Sequence, residues 1–251
     1  MTTRQRILIT GASSGLGAEM ARQFAAKGRD LALCARRLER LEELRTEIAA
    51  AHPQVRVAIR RLDVDDHPTV SPVFTELADE LGGLDRVIVN AGLGKGAQVG
   101  TGYFYANAET AVTNFVSALA QCEAGMEHFR AANAGHLVVI SSMSAYRALP
   151  GTLSTYAASK MAVAGLANGI RMDVWSTPIK VTTLYPGYIR SEMSDGSAGT
   201  TPLMASTEKG VKGIVRAIER EPANAAVPAW PWKPLGLVMR YAPDRVIRSF
   251  T

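Results

Sequence analysis

Apolar segments with strand character alternate along this chain with segments of helical periodicity. The strand candidates are Ile7–Thr10, Leu31–Ala35, Val55–Asp63, Arg86–Asn90, His136–Ser141, Ile179–Tyr185 and Ala225–Ala229. The helical patterns between them cover about Gly15–Lys27, Leu38–Ala51, Thr69–Leu81, Phe104–Ala131, Thr155–Trp175 and Thr207–Glu219. This alternation predicts a doubly wound α/β (Rossmann) fold, in which helices cover both faces of a parallel sheet of about seven strands.

The length of 251 residues, with 47% hydrophobic content, is sufficient for one domain with a large core. Because no repeat or linker is evident, we expect a single domain over residues 1–251. Residues 188–206, rich in Gly, Ser and Thr, have the composition of a mobile lid over a substrate, or of a plain surface loop. Residues 227–251 form a C-terminal tail that could cap a pocket, pack on another subunit or contact a membrane surface.

Composition argues against several classes of protein. The net charge of +5 comes from basic residues scattered among 23 acidic ones, which is typical of a solvated surface and not of a nucleic-acid interface. No apolar run reaches about 18 residues, so we expect a cytoplasmic protein. Cys34 and Cys122 are expected to be buried thiols, and the four histidines show no paired ligand spacing that would predict a metal site.

The segment from Arg6 to Gly17, RILITGASSGLG, reads as strand, glycine turn and helix. Glycines allow positive φ angles and close approach of a ligand to the backbone, and the free N–H groups that open the helix favour an anionic diphosphate. The turn therefore predicts a dinucleotide site, with a turn that binds nothing as the alternative. The candidate contacts in it are Gly11, Ser13, Ser14, Gly15, Leu16 and Gly17.

Tyr156 and Lys160 are four residues apart, so in a helix both side chains would project from one face. A cation about 4 Å from the phenol, at an effective dielectric of about 20, would favour the phenolate by roughly 4 kcal/mol, or about 3 pK units. The spacing thus indicates that Tyr156 is a general acid or base near neutral pH. Taken alone, it is equally typical of a packed ring beside a solvated amine.

Arg36 and Arg37 follow the second strand, where an acidic side chain would accept a hydrogen bond from an adenosine ribose 2′-OH. A guanidinium fork instead suits a 2′-phosphate, to which Ser13 could also donate. The pair therefore favours NADP(H) over NAD(H), with Arg36 the stronger candidate because it lies nearer the strand end. The alternative is two solvated arginines at a helix start.

These motifs together resemble the short-chain dehydrogenase/reductase family, over roughly Arg6 to Glu192. The matching positions are Thr10 to Gly17 for TGxxxGxG, Asp63 and Val64 for the adenine contacts, Asn90, Ala91 and Gly92 for the NAG motif, Asn114 for the active-site Asn, Ser142, Tyr156 and Lys160 for the catalytic set, and Pro186 and Gly187 for the PG motif. The resemblance implies that these residues, with Ile189 beyond the PG motif, bind the cofactor or catalyse the reaction.

The resemblance implies hydride transfer between nicotinamide C4 and a carbonyl or carbinol carbon. Tyr156 would exchange the proton, Ser142 would orient the substrate oxygen, and Lys160 would lower the Tyr156 pKa and hold the nicotinamide ribose. Asn114 would keep a helix locally open around a water that relays protons. Ser142 precedes Tyr156 by fourteen residues where thirteen is usual, so Ser144 is an alternative to it.

We therefore expect an NADP(H)-dependent oxidoreductase that interconverts a ketone and a secondary alcohol, with a hydrophobic or lipid-like carbonyl substrate. One alternative is a 3-oxoacyl thioester reductase with an acyl-carrier partner. Another is a non-catalytic NADP(H)-binding sensor or scaffold. The resemblance also implies a homotetramer or homodimer, associated through the helix after Asn114 and the helix that contains Tyr156.

Overall fold

The computed structural model describes residues 3–148, 150–190 and 203–248. These residues form one seven-stranded parallel sheet with the strand order β3-β2-β1-β4-β5-β6-β7. The strands are β1 (Arg6–Thr10), β2 (Asp30–Ala35), β3 (Val57–Arg61), β4 (Arg86–Val89), β5 (His136–Ile140), β6 (Lys180–Pro186) and β7 (Asn224–Val227). The predicted doubly wound Rossmann fold is confirmed.

Helices cover both faces of the sheet. They are α1 (Gly15–Ala25), α2 (Leu38–Ala51), α3 (His67–Leu81), α4 (Phe104–Ala111), α5 (Ser117–Ala132), α6 (Ser154–Asp173), α7 (Thr207–Arg220), α8 (Ala229–Tyr241) and α9 (Asp244–Arg248). Strands β1 to β6 each contribute to two cores because successive side chains point to opposite faces. In β1, Ile7 and Ile9 lie in one core and Leu8 in the other.

Both cysteines are buried, as expected, and lie in the core that contains Leu8. Cys34 and Cys122 are buried and free, and burial raises the pKa of each thiol to about 12.

Within the described ranges, no group of three or more His, Cys, Asp or Glu side chains could hold a metal ion. No helix in the same ranges is long and apolar enough to cross a membrane.

Four element predictions need correction. The third strand is shorter than Val55–Asp63, because the N–H of Val55 donates to the His52 carbonyl in a turn. The last strand ends at Val227 because Pro228 cannot donate to a strand ladder. The single helix expected over Phe104–Ala131 is interrupted by a π-helix over Val112–Val116. The tail, for which no helix was predicted, forms α8 and α9.

The order of the strands places a crevice between β1 and β4. The chain passes from β1 to β2 and β3 on one side, and then crosses to β4 on the other. Ligands of such sheets bind at this switch point, outside the carboxyl ends of the strands. The glycine turn follows β1 there, and the loops after β4, β5 and β6 lie along the same edge.

A buried charge network lies at the opposite edge of the sheet. Arg86 is only 2% exposed, and its Nε donates to the Nδ1 atom of His136 over 2.9 Å. Its two terminal nitrogens lie 2.8 Å from Glu219 and 3.2 Å from Glu221, at the end of α7. Arg4 and Arg29 hold the same two glutamates from outside. The network therefore connects β4 and β5 to the end of α7.

Candidate active site

The glycine turn and the loop after β4 pack against each other so closely that only glycines fit. Gly11 has a φ angle of +63°, and a β-carbon there would lie 2.9 Å from the Cα atom of Ala91. A β-carbon on Gly17 would lie 2.3 Å from the Gly11 carbonyl oxygen and 2.8 Å from the Asn90 amide nitrogen. A side chain at either position would push the two loops apart.

Thr10 and Asn90 lock the ends of β1 and β4 together. The Thr10 hydroxyl oxygen accepts from the N–H groups of Asn90 at 3.0 Å and Ala91 at 3.1 Å. The Asn90 side-chain amide donates to the Thr10 carbonyl at 2.9 Å. Asn90, which was expected to contact a cofactor, therefore also joins the end of β4 to the end of β1. The sequence motif included Thr10, but nothing in it predicted this role.

Arg37 lies against the glycine turn, whereas Arg36 is exposed. The Arg37 guanidinium donates to the Ser14 hydroxyl at 2.7 Å and to the Ser13 hydroxyl at 3.3 Å. Ser14 precedes α1, but its side chain makes no capping hydrogen bond. It therefore does not occupy the N–H groups that open the helix. The glycine cradle, the helix start and the two guanidinium groups fit a nicotinamide dinucleotide.

The predicted adenine contacts lie in the turn after β3. Val64 is buried, and the Asp63 carboxylate accepts from the N–H of Asp65 at 3.2 Å. Asp63 therefore stabilises its own turn, as an aspartate that closes a strand commonly does. Its neighbour Asp65, which the sequence did not single out, contacts the π-helix.

Tyr156 and Lys160 lie on one face of α6, as the spacing predicted. The Lys160 Nζ atom is 5.9 Å from the centre of the Tyr156 ring, and it donates to the Ile140 carbonyl at 3.0 Å. Ser142, two residues beyond β5, lies close enough to the Tyr156 phenol to lower its pKa. Ser144 donates its N–H to the Ser142 hydroxyl at 3.2 Å. Ser142 is thus the serine that acts on Tyr156, and the Ser144 N–H supports it.

The expected effect of Lys160 on Tyr156 is not found in this arrangement. Burial raises the pKa of the Tyr156 phenol above its usual 10, and Tyr188 acts in the same direction, whereas Ser142, among the described residues, lowers it. Burial also lowers the pKa of Lys160 to about 8. The spacing of the two residues was predicted correctly, but not the burial of both groups or the contact of the ammonium with Ile140. Tyr156 is therefore protonated at neutral pH and suited to donate a proton.

Asn114 lies in the π-helix and is buried, with 1% of its surface exposed. Its side-chain oxygen accepts from the Leu93 N–H at 2.7 Å, and its nitrogen donates to the Leu93 carbonyl at 2.9 Å and to the Ser159 hydroxyl at 3.1 Å. A β-carbon on Gly92 would lie 3.0 Å from the Asn114 oxygen and 3.3 Å from the Lys160 ammonium. The two polar groups therefore face the same glycine.

The tail packs on its own chain beside the candidate site. A β-carbon on Gly187 would lie 2.0 Å from the buried Trp232 ring, so this glycine makes room for the indole. The Trp232 ring also meets the Tyr188 ring edge-on, with centroids 5.3 Å apart. On the next turn, Gly236 lies against Met143. Of the three roles left open for the tail, the contacts of the inner side of α8 fit a wall of the site.

The remaining predicted contacts lie at the end of β6. Pro186 closes the strand, and Gly187 donates its N–H to the Val227 carbonyl at 2.9 Å. Ile189 is buried and forms an isolated bridge with Ala205. Most of the predicted lid, residues 191–202, lies outside the described residues.

The switch-point crevice, the glycine cradle and the Ser–Tyr–Lys set together define a dinucleotide-binding oxidoreductase. The family model for short chain dehydrogenases matches residues 5–201, and the chain belongs to the short-chain dehydrogenase/reductase family. Members use nicotinamide cofactors and act on CH–OH or C=O groups.

Similar proteins agree with this assignment. An uncharacterized oxidoreductase of Mycobacterium tuberculosis is 54% identical over 248 residues, which are 99% of this chain and 98% of that protein. Hydroxysteroid 11-beta-dehydrogenase 1-like protein B of Xenopus laevis is 30% identical and covers 97% of this chain and 84% of its own. An alcohol dehydrogenase from the archaeon Thermococcus sibiricus, solved with 5-hydroxy-NADP, shares the fold at a TM-score of 0.79 and 23% identity, over 88% of this chain and 95% of its own.

Proposed function

We propose that this protein is an NADP(H)-dependent oxidoreductase that interconverts a hydrophobic ketone and its secondary alcohol. The observation that carries the proposal is that Tyr156 and Lys160 share one face of α6, with the Lys160 Nζ atom 5.9 Å from the Tyr156 ring centre, while Ser142 lies near the phenol and lowers its pKa. A module that only binds a cofactor needs no such arrangement.

The polar groups of the site have complementary tasks. NADPH, when bound, supplies a hydride for the carbonyl carbon. The Tyr156 hydroxyl, kept protonated by burial, donates the proton that the carbonyl oxygen needs. The Ser142 hydroxyl donates a hydrogen bond to the same oxygen and so stabilises the charge that develops on it. Lys160, with a pKa of about 8, can return a proton towards Tyr156 from the side of Asn114.

The walls of the site support a hydrophobic substrate. The Tyr188 ring lies near the Tyr156 phenol, whose pKa it raises, and meets the Trp232 ring edge-on with centroids 5.3 Å apart. Large planar surfaces of this kind favour apolar ligands, whose burial contributes roughly 25 cal/mol per Å². The Xenopus relative carries a hydroxysteroid dehydrogenase name, which also favours an extended apolar substrate.

The proposal is tested by following NADPH absorbance with a panel of ketones, diketones and 3-oxoacyl thioesters, with NADH in parallel. We expect hydrophobic ketones to be reduced, with NADPH preferred. A preference for thioesters presented on an acyl carrier would replace the ketone reductase by a 3-oxoacyl reductase. Binding of NADPH without turnover of any class would favour a sensor.

Arg36 and Arg37 are expected to affect the two cofactors differently. Arg36 is exposed and free to meet a 2′-phosphate, so Arg36→Ala should raise the KM for NADPH about 10-fold or more, and leave the KM for NADH unchanged. Arg37 holds Ser13 and Ser14 in the turn that both cofactors share, so Arg37→Ala should raise both KM values.

The matched control is Arg40→Ala, which removes an exposed arginine within α2 instead. Steady-state kinetics with each cofactor measures all three variants. Equal effects of Arg36→Ala on NADPH and NADH would contradict a role in 2′-phosphate recognition.

A further inference from the structure

The Asp65 carboxylate accepts two short hydrogen bonds from hydroxyl groups near Asn114. One oxygen accepts from the Thr113 hydroxyl at 2.7 Å, and the other accepts from the Ser117 hydroxyl at 2.6 Å. These distances are those of hydrogen bonds to a charged acceptor, which are about twice as strong as neutral ones. Asp65 belongs to the loop after β3, whereas its two partners belong to the helical stretch that carries Asn114.

The two hydroxyl groups stand on either side of Asn114. Thr113 is 5% exposed and Ser117 is fully buried, so neither can turn to water instead. Because Ser117 gives its proton to Asp65, its oxygen accepts from the His67 ring nitrogen at 2.9 Å. The loop after β3 thus holds both ends of one helical turn.

That turn is the π-helix, whose geometry needs outside support. The Ser117 N–H donates to the Val112 carbonyl five residues earlier, where an α-helix would use the residue four earlier. Such wide turns are rare and occur mostly as single turns at functional sites. On one side the Asn114 amide secures the turn to Leu93 and Ser159. On the other side, among the described residues, Asp65 secures Thr113 and Ser117.

We propose that Asp65 is a positioning residue for the proton path of the active site. By holding Thr113 and Ser117 it keeps the π-turn open, and the open turn keeps the Asn114 side chain at Leu93, beside Gly92 and the Lys160 ammonium. The loop at the expected adenine end of the cofactor is thereby linked to the groups that supply protons to Tyr156. This inference rests on the proposed function.

The first test needs neither cofactor nor substrate. Hydrogen exchange measured by mass spectrometry on the free protein should show Asp65→Ala exchanging on the order of ten times faster over residues 112–118 and around Leu93, with distant helices unchanged. Asp65→Asn keeps one acceptor oxygen and should give an intermediate rate. The matched control, Asp66→Ala, removes an adjacent exposed carboxylate and should exchange like the wild type.

Kinetics form the second test. Asp65→Ala should lower kcat about 10- to 100-fold through misplacement of the relay, with the NADPH dissociation constant nearly unchanged. In an Asn114→Ala background the same substitution should have little further effect, because both act through one element. Asp65→Asn should recover part of kcat.

Unchanged exchange over residues 112–118 in Asp65→Ala would overturn the positioning role, whatever the protein catalyses. Additive losses of kcat in the double variant with Asn114→Ala would also overturn it. If the wild type turns over no carbonyl while exchange changes as expected, the proposed function fails and the structural link between Asp65 and the π-turn stands.

Discussion

Replacement of Tyr156 by Phe is expected to lower kcat by about 10²- to 10⁴-fold and to leave NADPH affinity nearly intact. The substitution removes one hydroxyl group and keeps the ring that packs beside Lys160. It therefore removes the proton donor without opening a cavity. Steady-state turnover gives kcat, and fluorescence titration of NADPH gives the affinity.

Tyr185→Phe is a matched control for this experiment. It also removes a phenolic oxygen near the carboxyl end of a strand, where that oxygen hydrogen-bonds the Asn224 side chain at 3.3 Å in an exposed position. We expect it to change turnover by no more than about two-fold, since an exposed hydrogen bond contributes little. Near-normal turnover of Tyr156→Phe would contradict the catalytic assignment.

Arg86→Met is expected to lower the free energy of unfolding by about 3 kcal/mol or more. The guanidinium is 2% exposed and meets His136, Glu219 and Glu221, so its loss leaves charges and a ring nitrogen without their buried partner. Burial, followed by the charges of Arg86 and Arg4, holds the pKa of His136 well below its usual 6.5, so the ring beside the guanidinium is neutral. Urea titration followed by circular dichroism measures the loss.

Arg60→Met provides the comparison. Arg60 also pairs with two glutamates, Glu76 at 2.8 Å and Glu80 at 2.9 Å, but all three side chains are at least one-third exposed. Exposed pairs of this kind contribute about 0–1 kcal/mol. Equal losses in the free energy of unfolding of the two variants would show that the burial of the Arg86 network adds nothing to its stabilising effect.

The strands and the edge at which the site forms could be predicted from the sequence because their signals are local. The apolar runs of β1 and β2 specify strands, and glycines at Gly11 and Gly17 indicate a close approach of backbones. The Tyr156 to Lys160 spacing likewise specifies one helix face. Each of these signals lies within one segment of chain.

The features that were missed depend on contacts between distant segments. The Asp65 carboxylate meets Thr113 and Ser117 across about fifty residues of chain, and no local pattern predicts a π-turn there. Gly187 looked like part of a motif, but its lack of a side chain also makes room for Trp232. The Tyr156 pKa was predicted in the wrong direction because spacing along a helix carries no information on burial.

Direct hydride transfer to a carbonyl carbon can be tested by one isotopic measurement. NADPH carrying deuterium at the transferable position of nicotinamide C4 is incubated with the best ketone of the panel, and the product is analysed by mass spectrometry and NMR. We expect one deuterium on the carbinol carbon of the alcohol, and loss of product formation in Tyr156→Phe. An alcohol without deuterium at that carbon, or equal formation of product by Tyr156→Phe, would contradict it.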